Sequence, residues 1–326
     1  MVLNLVFFLF AFLFGGIGAL IVFAVGGRMG LLDRPNHRSS HSITTPKGGG
    51  IGLVLAFLMC SVFLKMSLEF ILPVGILAIL SLWGDRTEIP PKIRLPAQFL
   101  LISALLITHF KKEIPDNPVS WLLCGLAIVF VVGTANFYNF MDGINGIAGI
   151  TGVIGFGFLA ISLHGVQPIF SSLSLAMSLA CAGFLPFNFP QARVFMGDVG
   201  SVTLGAVFAI LVVIGSGGLL DFIVRASFIF PFFADELSTM WIRIRQGEDL
   251  TQAHRQHVYQ VLANEWGFSH WRVSIGYGIF QIAVAVSVIG MAKIGYLSVL
   301  LVLVIWFVVF LFFSKRIRKK KKTECL

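Results

Sequence analysis

Long uninterrupted apolar runs follow one another along almost the whole chain, separated by short polar segments, and this pattern constrains the fold more than any other feature. A bilayer core about 30 Å thick takes roughly 20 apolar residues of helix to cross. Lipid offers no hydrogen bonds, so each crossing segment must satisfy its own backbone. The runs are continuous rather than alternating, which argues for helices and against a β-barrel. Composition agrees: 57% of residues are hydrophobic and 12% charged, against about 25% charged in soluble domains. The expectation is an all-α polytopic membrane protein with about 10–11 transmembrane helices. Eleven runs are read, near residues 3–26, 49–65, 68–83, 96–110, 119–134, 146–163, 168–186, 201–215, 220–240, 271–291 and 295–313. The first has no basic residue ahead of it and is too long for a cleaved signal, so it is read as a retained helix.

Most of the 24 Lys and Arg residues lie in the odd-numbered loops and the C-terminal tail, while the even loops hold only Lys65, Lys111, Lys112 and Lys293. The positive-inside rule places the odd loops and the C-terminus in the cytoplasm and the N-terminus outside. The tail SKRIRKKKKTECL carries much of the +9 net charge and is read as a topology signal attracted to anionic lipid, not as a nucleic-acid site. No internal repeat or long linker divides the chain. It reads as one integral-membrane domain, 1–313, followed by a basic tail, 314–326. The four cysteines are spaced for neither a disulfide framework nor a zinc cluster.

Asp33, Asp85, Asp142, Asp198 and Asp235 all fall at or beside expected cytoplasmic helix ends, whereas the external loops are short and chemically plain. Any chemistry therefore belongs to the cytoplasmic rim. The first cytoplasmic loop, LLDRPNHRSSHSITTPKGGGIG, packs Asp33, Asn36, Arg38, Ser39, Ser40 and His41 together and ends in three glycines before a helix. Glycine-flanked N–H groups at a helix start can bind an anion, with Arg38 and Lys47 adding charge; flexible backbone is the plainer alternative. In the second, WGDRTEIPPKIRLPAQ, the pattern of Asp85, Arg86, Lys92 and Arg94 reads as interfacial anchoring.

In the third, NFYNFMDGINGIAG, Asn136, Asn139 and Asp142 recur every three residues and share a helix face, a richer set than one cap requires. In the fourth, VFMGDVGS sets Asp198 between Gly197 and Gly200 where an apolar helix begins. A carboxylate there can complement the helix dipole or hold Mg²⁺, which takes oxygen ligands, usually one or two carboxylates with substrate phosphates. The bare backbone on either side is read as room for a close-fitting ligand. In the fifth, AHRQH places His254 and His257 on one face with Arg255 beside them, as an anion-binding face or as surface histidines.

Read together, DRPNHRSSH…TPKGGG, NFYNFMDGINGIAG, FNFPQARVFMGDVGS and AHRQH resemble, in order, the cytoplasmic motifs of the polyprenyl-phosphate N-acetylhexosamine-1-phosphate transferases. That superfamily, glycosyltransferase family 4, includes the phospho-N-acetylmuramoyl-pentapeptide translocases. AHRQHVYQ looks most like the branch that starts O-antigen (lipopolysaccharide) synthesis. The resemblance implies that Asp198 is the Mg²⁺ ligand, with Mn²⁺ as a substitute. It implies that Asn139 and Asp142 belong to the nucleotide-sugar site and that His254, Arg255 and His257 recognise diphosphate or sugar. Asp33, Asn36, Arg38, His41 and Lys47 complete the substrate-binding set. The family's usual adjacent aspartate pair is here Gly84 and Asp85, so the first carboxylate is missing and Asp85 is left to orient acceptor or metal.

The implied reaction moves an N-acetylhexosamine 1-phosphate from a UDP-sugar to undecaprenyl phosphate and releases UMP, starting a cell-envelope glycan, and the resemblance implies a bacterial inner membrane with the active site on its cytoplasmic face. The expected partners are that sugar nucleotide, undecaprenyl phosphate and membrane lipids, with a homodimer as a further expectation and no nucleic acid. The competing class is a transporter or lipid flippase with a polar site on the cytoplasmic side. Such proteins usually bind substrate near mid-membrane within repeated halves.

Overall fold

The computed structural model describes residues 2–35, 40–87, 89–111, 117–249 and 254–324. Asn36 and Arg38 lie outside the described residues. The helices are α1 Val2–Val25, α2 Ile51–Phe63, α3 Leu68–Thr87, α4 Pro91–Phe110, α5 Pro118–Phe140, α6 Ile147–Leu163, α7 Pro168–Asn188, α8 Asp198–Gly215, α9 Leu219–Ala226, α10 Phe230–Arg245, α11 Val258–Asn264, α12 His270–Ala292 and α13 Tyr296–Glu324. A two-residue antiparallel ladder, β1 Leu32–Asp33 with β2 Thr45–Pro46, lies in the first loop. Proline opens α4, α5, α7 and α10, where its missing N–H would have no helical partner anyway.

Among the described residues, 8 helices are long and apolar enough to cross a bilayer: α1, α3, α4, α5, α7, α8, α12 and α13. Two expected spans are shorter, α2 with 13 residues and α6 with 17. The run expected as one helix over 220–240 departs from the sequence reading: it is divided into α9, a 3-10 turn at Ser227–Ile229, and α10. Pro231 cannot donate a helical hydrogen bond, so the break is tolerated where neighbouring groups take up the freed backbone. The Gln281 amide on α12 does so, donating to the Phe228 carbonyl at 2.7 Å and to the Thr151 carbonyl at 3.1 Å. The basic run at the C-terminus continues α13 as helix as far as Glu324.

The bundle is built around α8, whose side chains are almost all buried and which packs against α2, α3, α5, α6, α7 and α9. Small residues let backbones meet: a Cβ on Gly18 of α1 would stand 2.2 Å from Gly52 Cα of α2. Arg225, only 3% exposed, fastens the end away from Asp198. It donates to the Gly215 carbonyl that ends α8 (2.6 Å) and to Ser162 Oγ near the end of α6 (3.1 Å), a cation at two negative helix ends. The opposite rim gathers the end of α3, the turn after α5 and the start of α8, and it carries Asp85, Asp142 and Asp198.

Candidate active site

The first and fourth loops are knitted by backbone. Phe195 N–H donates to the Pro46 carbonyl (2.8 Å), and Gly49 and Gly50 N–H donate to the Phe195 and Met196 carbonyls (3.0 and 2.9 Å). This explains the glycines more simply than a ligand does. A Cβ on Gly50 would sit 2.2 Å from Gly200 Cα, and one on Gly197 would sit 2.7 Å from the Asp85 carboxylate. Gly197 also takes a φ of +74°, which disfavours a side chain. The bare backbone beside Asp198 is filled by the chain itself, contrary to the reading that it makes room for a ligand.

Asp85, 5% exposed, accepts the Asp198 N–H on one carboxylate oxygen and the Val199 N–H on the other, both at 3.0 Å. It thus satisfies two of the unpaired donors at the start of α8 and complements that helix's dipole. With its own N–H held, Asp198 turns its carboxylate to Arg94 of α4, whose Nη1 lies 2.5 Å from Oδ2. Ser201, one turn along α8, donates to Asn139 Oδ1 at 2.6 Å and so joins α8 to α5. Asn188 Oδ1 accepts Gly146 N–H (2.8 Å) while its amide donates to the Val194 carbonyl (2.9 Å), tying the third and fourth loops together.

These side chains enclose a cavity of about 310 Å³ lined by Asp33, His41, Lys47, Asp85, Asn139, Asp142, Asp198 and His270, among others. Burial, together with Asp198 and Asp85 nearby, pushes the Asp142 carboxyl well above the usual carboxylate range. The His41 ring lies edge-on to Phe195, with centroids 4.8 Å apart, and its Nε2 is 3.9 Å from Asp33.

His254 and His257 line a neighbouring cavity of about 560 Å³. Arg94, Asn136, Glu236 and Arg243 supply its polar wall, while Leu95, Phe99, Val129 and Phe137 of α4 and α5 supply its apolar wall. Gln260 lines both cavities, and Arg94 joins them through its bond to Asp198. Arg255 lines neither of the two. His254 is pushed down to about 4 by burial, with His257 and Arg243 beside it, so it is neutral at neutral pH and can serve as a hydrogen-bonding group rather than a fixed cation. His257 is 2% exposed; its Nε2 lies 3.4 Å from Glu236 and its Nδ1 lies 3.7 Å from Asp235.

Asp235 lies outside the acidic cavity. Its carboxylate caps α11, accepting Val258 N–H (2.9 Å) and Tyr259 N–H (3.3 Å), and also takes the Tyr277 hydroxyl (2.7 Å). Two buried aspartates therefore do one structural job, each orienting the short helix start that carries a polar face. Arg94, Asn188 and His270 were not singled out from sequence as members of the site. Arg94 read as an interfacial anchor, and the pairing that gives it another role spans 104 positions.

Among the described residues, no three His, Cys, Asp or Glu side chains close on one point as a ready-made metal cage. The donor set nevertheless suits Mg²⁺, which uses one or two carboxylates and takes its remaining oxygens from phosphates and water. Asp198 and Asp142 face a common cavity and crowd one another's charge, and a divalent cation would relieve that crowding.

Comparison with known proteins now bears on this geometry. Residues 67–216 match the model for glycosyl transferase family 4, a stretch running from α3 through α8. The matched stretch covers a little under half of the chain, and the similarity is to that family over those residues. The chain is 26% identical over 275 residues to a probable undecaprenyl-phosphate N-acetylglucosaminyl 1-phosphate transferase of Bacillus subtilis, covering 78% of this chain and 75% of that one. It is 25% identical over 294 residues to a decaprenyl-phosphate N-acetylglucosaminephosphotransferase of Mycobacterium tuberculosis, covering 76% and 72%. A phospho-N-acetylmuramoyl-pentapeptide-transferase of Halalkalibacterium halodurans is 26% identical over 258 residues, covering 71% and 78%. The family match includes Asp85, Asp142 and Asp198, so the acidic cavity belongs largely to the part of the chain that these transferases share.

Proposed function

We propose that this protein transfers an N-acetylhexosamine 1-phosphate from a UDP-sugar to undecaprenyl phosphate, with release of UMP, on the cytoplasmic face of a bacterial inner membrane. The observation that carries the reading is the junction at Arg94. An acidic, water-accessible cavity suited to a sugar nucleotide meets a largely apolar cavity between α4 and α5 suited to a prenyl chain, and one guanidinium touches both. A transporter needs no such meeting of a soluble and a lipid-borne reactant, and the carboxylates gather at one rim rather than at mid-membrane.

In this reading an acceptor phosphate oxygen attacks the donor β-phosphorus, a new P–O bond forms, the bond to the bridging oxygen breaks, and UMP leaves with that oxygen. The acceptor is largely dianionic at neutral pH, its second pKa being about 6, so no general base is required where Gly84 stands. Mg²⁺ held by Asp198 and Asp142 would supply charge neutralisation to the diphosphate. Arg94, released from Asp198 by the incoming anions, would hold the acceptor phosphate at the junction. Asn139 would orient the nucleotide sugar. Asp33, His41 and Lys47 would close the far wall. His254 and His257 would donate hydrogen bonds from the acceptor side, with Arg255 nearby.

O-antigen initiation is the proposed pathway role, on the strength of the AHRQHVYQ form. The reading is tested by incubating purified protein with undecaprenyl phosphate, Mg²⁺ or Mn²⁺, and a series of UDP-N-acetylhexosamines. Metal-dependent, acceptor-dependent UMP release is the expected result, and the most rapidly used sugar identifies the donor. No UMP from any donor, with folded protein and intact acceptor, would overturn it.

A further inference from the structure

A third cavity, of about 460 Å³, lies away from the site between α11, α12 and α13. Its walls are two helical stripes, Val273, Gly276, Tyr277 and Phe280 on α12 and Trp306, Val309, Phe310, Phe313 and Ile317 on α13, with Val258 and Leu262 as floor. The Tyr277 hydroxyl is already committed to Asp235 (2.7 Å), and among the described residues Arg272 is the one charged residue in the lining. From Arg272 to Phe280 the groove follows α12 for about 12 Å at 1.5 Å per residue. That is close to the depth of one leaflet of a hydrocarbon core about 30 Å thick.

We infer that this groove is a binding site for an anionic phospholipid, with an acyl chain between α12 and α13 and the headgroup phosphate on Arg272. Charge complementarity selects the occupant. Arg272 stands at the rim that bears the acidic cavity, stacked on Trp271 with its guanidinium carbon 5.3 Å from the ring centroid. At the same end, α13 exposes Lys315 and Arg316 beside the groove residue Ile317, and the sequence continues with Lys319, Lys320, Lys321 and Lys322. An interfacial cluster of basic residues draws anionic lipid at physiological ionic strength. The interior offers hydrocarbon contact and little else. Space is also present: a Cβ built on Gly276 meets no atom within 4 Å.

The groove is connected to the site. Tyr277 and Val258 form part of its lining, and both hydrogen-bond to the Asp235 carboxylate, beside which His257 lies. Arg318, next to Ile317, donates to Thr239 Oγ1 (2.9 Å) and to the Gln256 carbonyl, so α13 is tied to the histidine loop as well. A lipid seated here would brace α11 and the His254–His257 segment against loosening.

The full chain is purified and reconstituted in nanodiscs of phosphatidylcholine alone or with phosphatidylglycerol, and retained lipid is read by native mass spectrometry. This readout does not depend on the proposed transferase activity. Phosphatidylglycerol should be retained in preference to phosphatidylcholine. Arg272→Gln should weaken retention about fivefold, as expected for loss of one basic contact to an anionic surface. Gly276→Leu fills the groove and gains helix propensity, so it should fold normally and abolish retention. Equal retention of both lipids, or retention unchanged in Gly276→Leu, overturns the inference. So does displacement of bound lipid by undecaprenyl phosphate with a raised acceptor KM in Gly276→Leu, since the groove would then belong to the acceptor. Loss of a dimer in Gly276→Leu without loss of lipid would assign the surface to a second copy and also overturn it.

Discussion

Asp85 is expected to act through the start of α8, which its carboxylate caps. Both its oxygens accept backbone N–H groups at 3.0 Å, from Asp198 and from Val199. Asp85→Asn keeps one acceptor but turns an amide N–H₂ toward an N–H donor, so one bond is lost and a donor faces a donor. A hydrogen bond to a charged group is worth about 1.5–3 kcal/mol, and the site is buried, so a cost of about 2–3 kcal/mol is expected. At about 2–4 °C per kcal/mol for a chain of this order of size, Tm should fall by about 5–10 °C. The N-terminus of α8 should shift, carrying Asp198 with it. Because misplacement by about 1 Å can cost on the order of 100-fold in rate, turnover should fall 10- to 100-fold. Thermal unfolding in detergent and UMP release, measured on the same preparation, test both parts. An unchanged Tm with abolished turnover would refute the capping role and make Asp85 a group that meets metal or substrate directly. Unchanged values of both would show that its two hydrogen bonds contribute nothing.

Asp198→Asn leaves the cap intact, so it should insert and melt much like the parent while losing several orders of magnitude in turnover; chelation by EDTA should do the same to the parent and be reversed by Mg²⁺. Arg225→Met should lower stability by about 3 kcal/mol, because one buried cation serves the ends of both α6 and α8, and thermal unfolding should record the loss with Arg225→Lys falling between. Gly50→Ala should destabilise the protein or abolish its folded yield, since the added Cβ would stand 2.2 Å from Gly200 Cα; a normal size-exclusion profile and Tm would contradict this. For His254, the folded-state pKa of about 4 lies below the ordinary 6.5, so between those values the unfolded chain binds the extra proton. Its contribution to stability should be complete above pH 6.5 and decline as pH falls toward 4, and Tm measured across that window should lose this component in His254→Gln.

How much was legible beforehand differs from residue to residue. The acids at the rim could be found because each interrupts a run of apolar residues at its end, and Asp198 could be found because of the motif around it. Arg94 could not: its local context is that of any interfacial cation, and only the approach of α4 to α8 gives it a partner. Gly50 and Gly200 looked like ligand space because sequence does not show which backbone will cross which. His254 and His257 line the adjoining cavity, and among the described residues only Gln260 of the neighbouring α11 reaches both.

Sequence alone determined the solvent, the helical class, the polar rim and the family motifs, because hydropathy and helix propensity are sums over neighbouring residues. The break within residues 220–240 escaped that sum, since Pro231 permits it and Gln281, far along the chain, makes it tolerable. Tertiary structure alone decided that Asp85 caps α8, that Asp198 meets Arg94, and that a polar and an apolar cavity adjoin at that pair. Those outcomes depend on close packing between segments about a hundred residues apart, where a methyl group more or less sets the distance between helices and hence which charges meet.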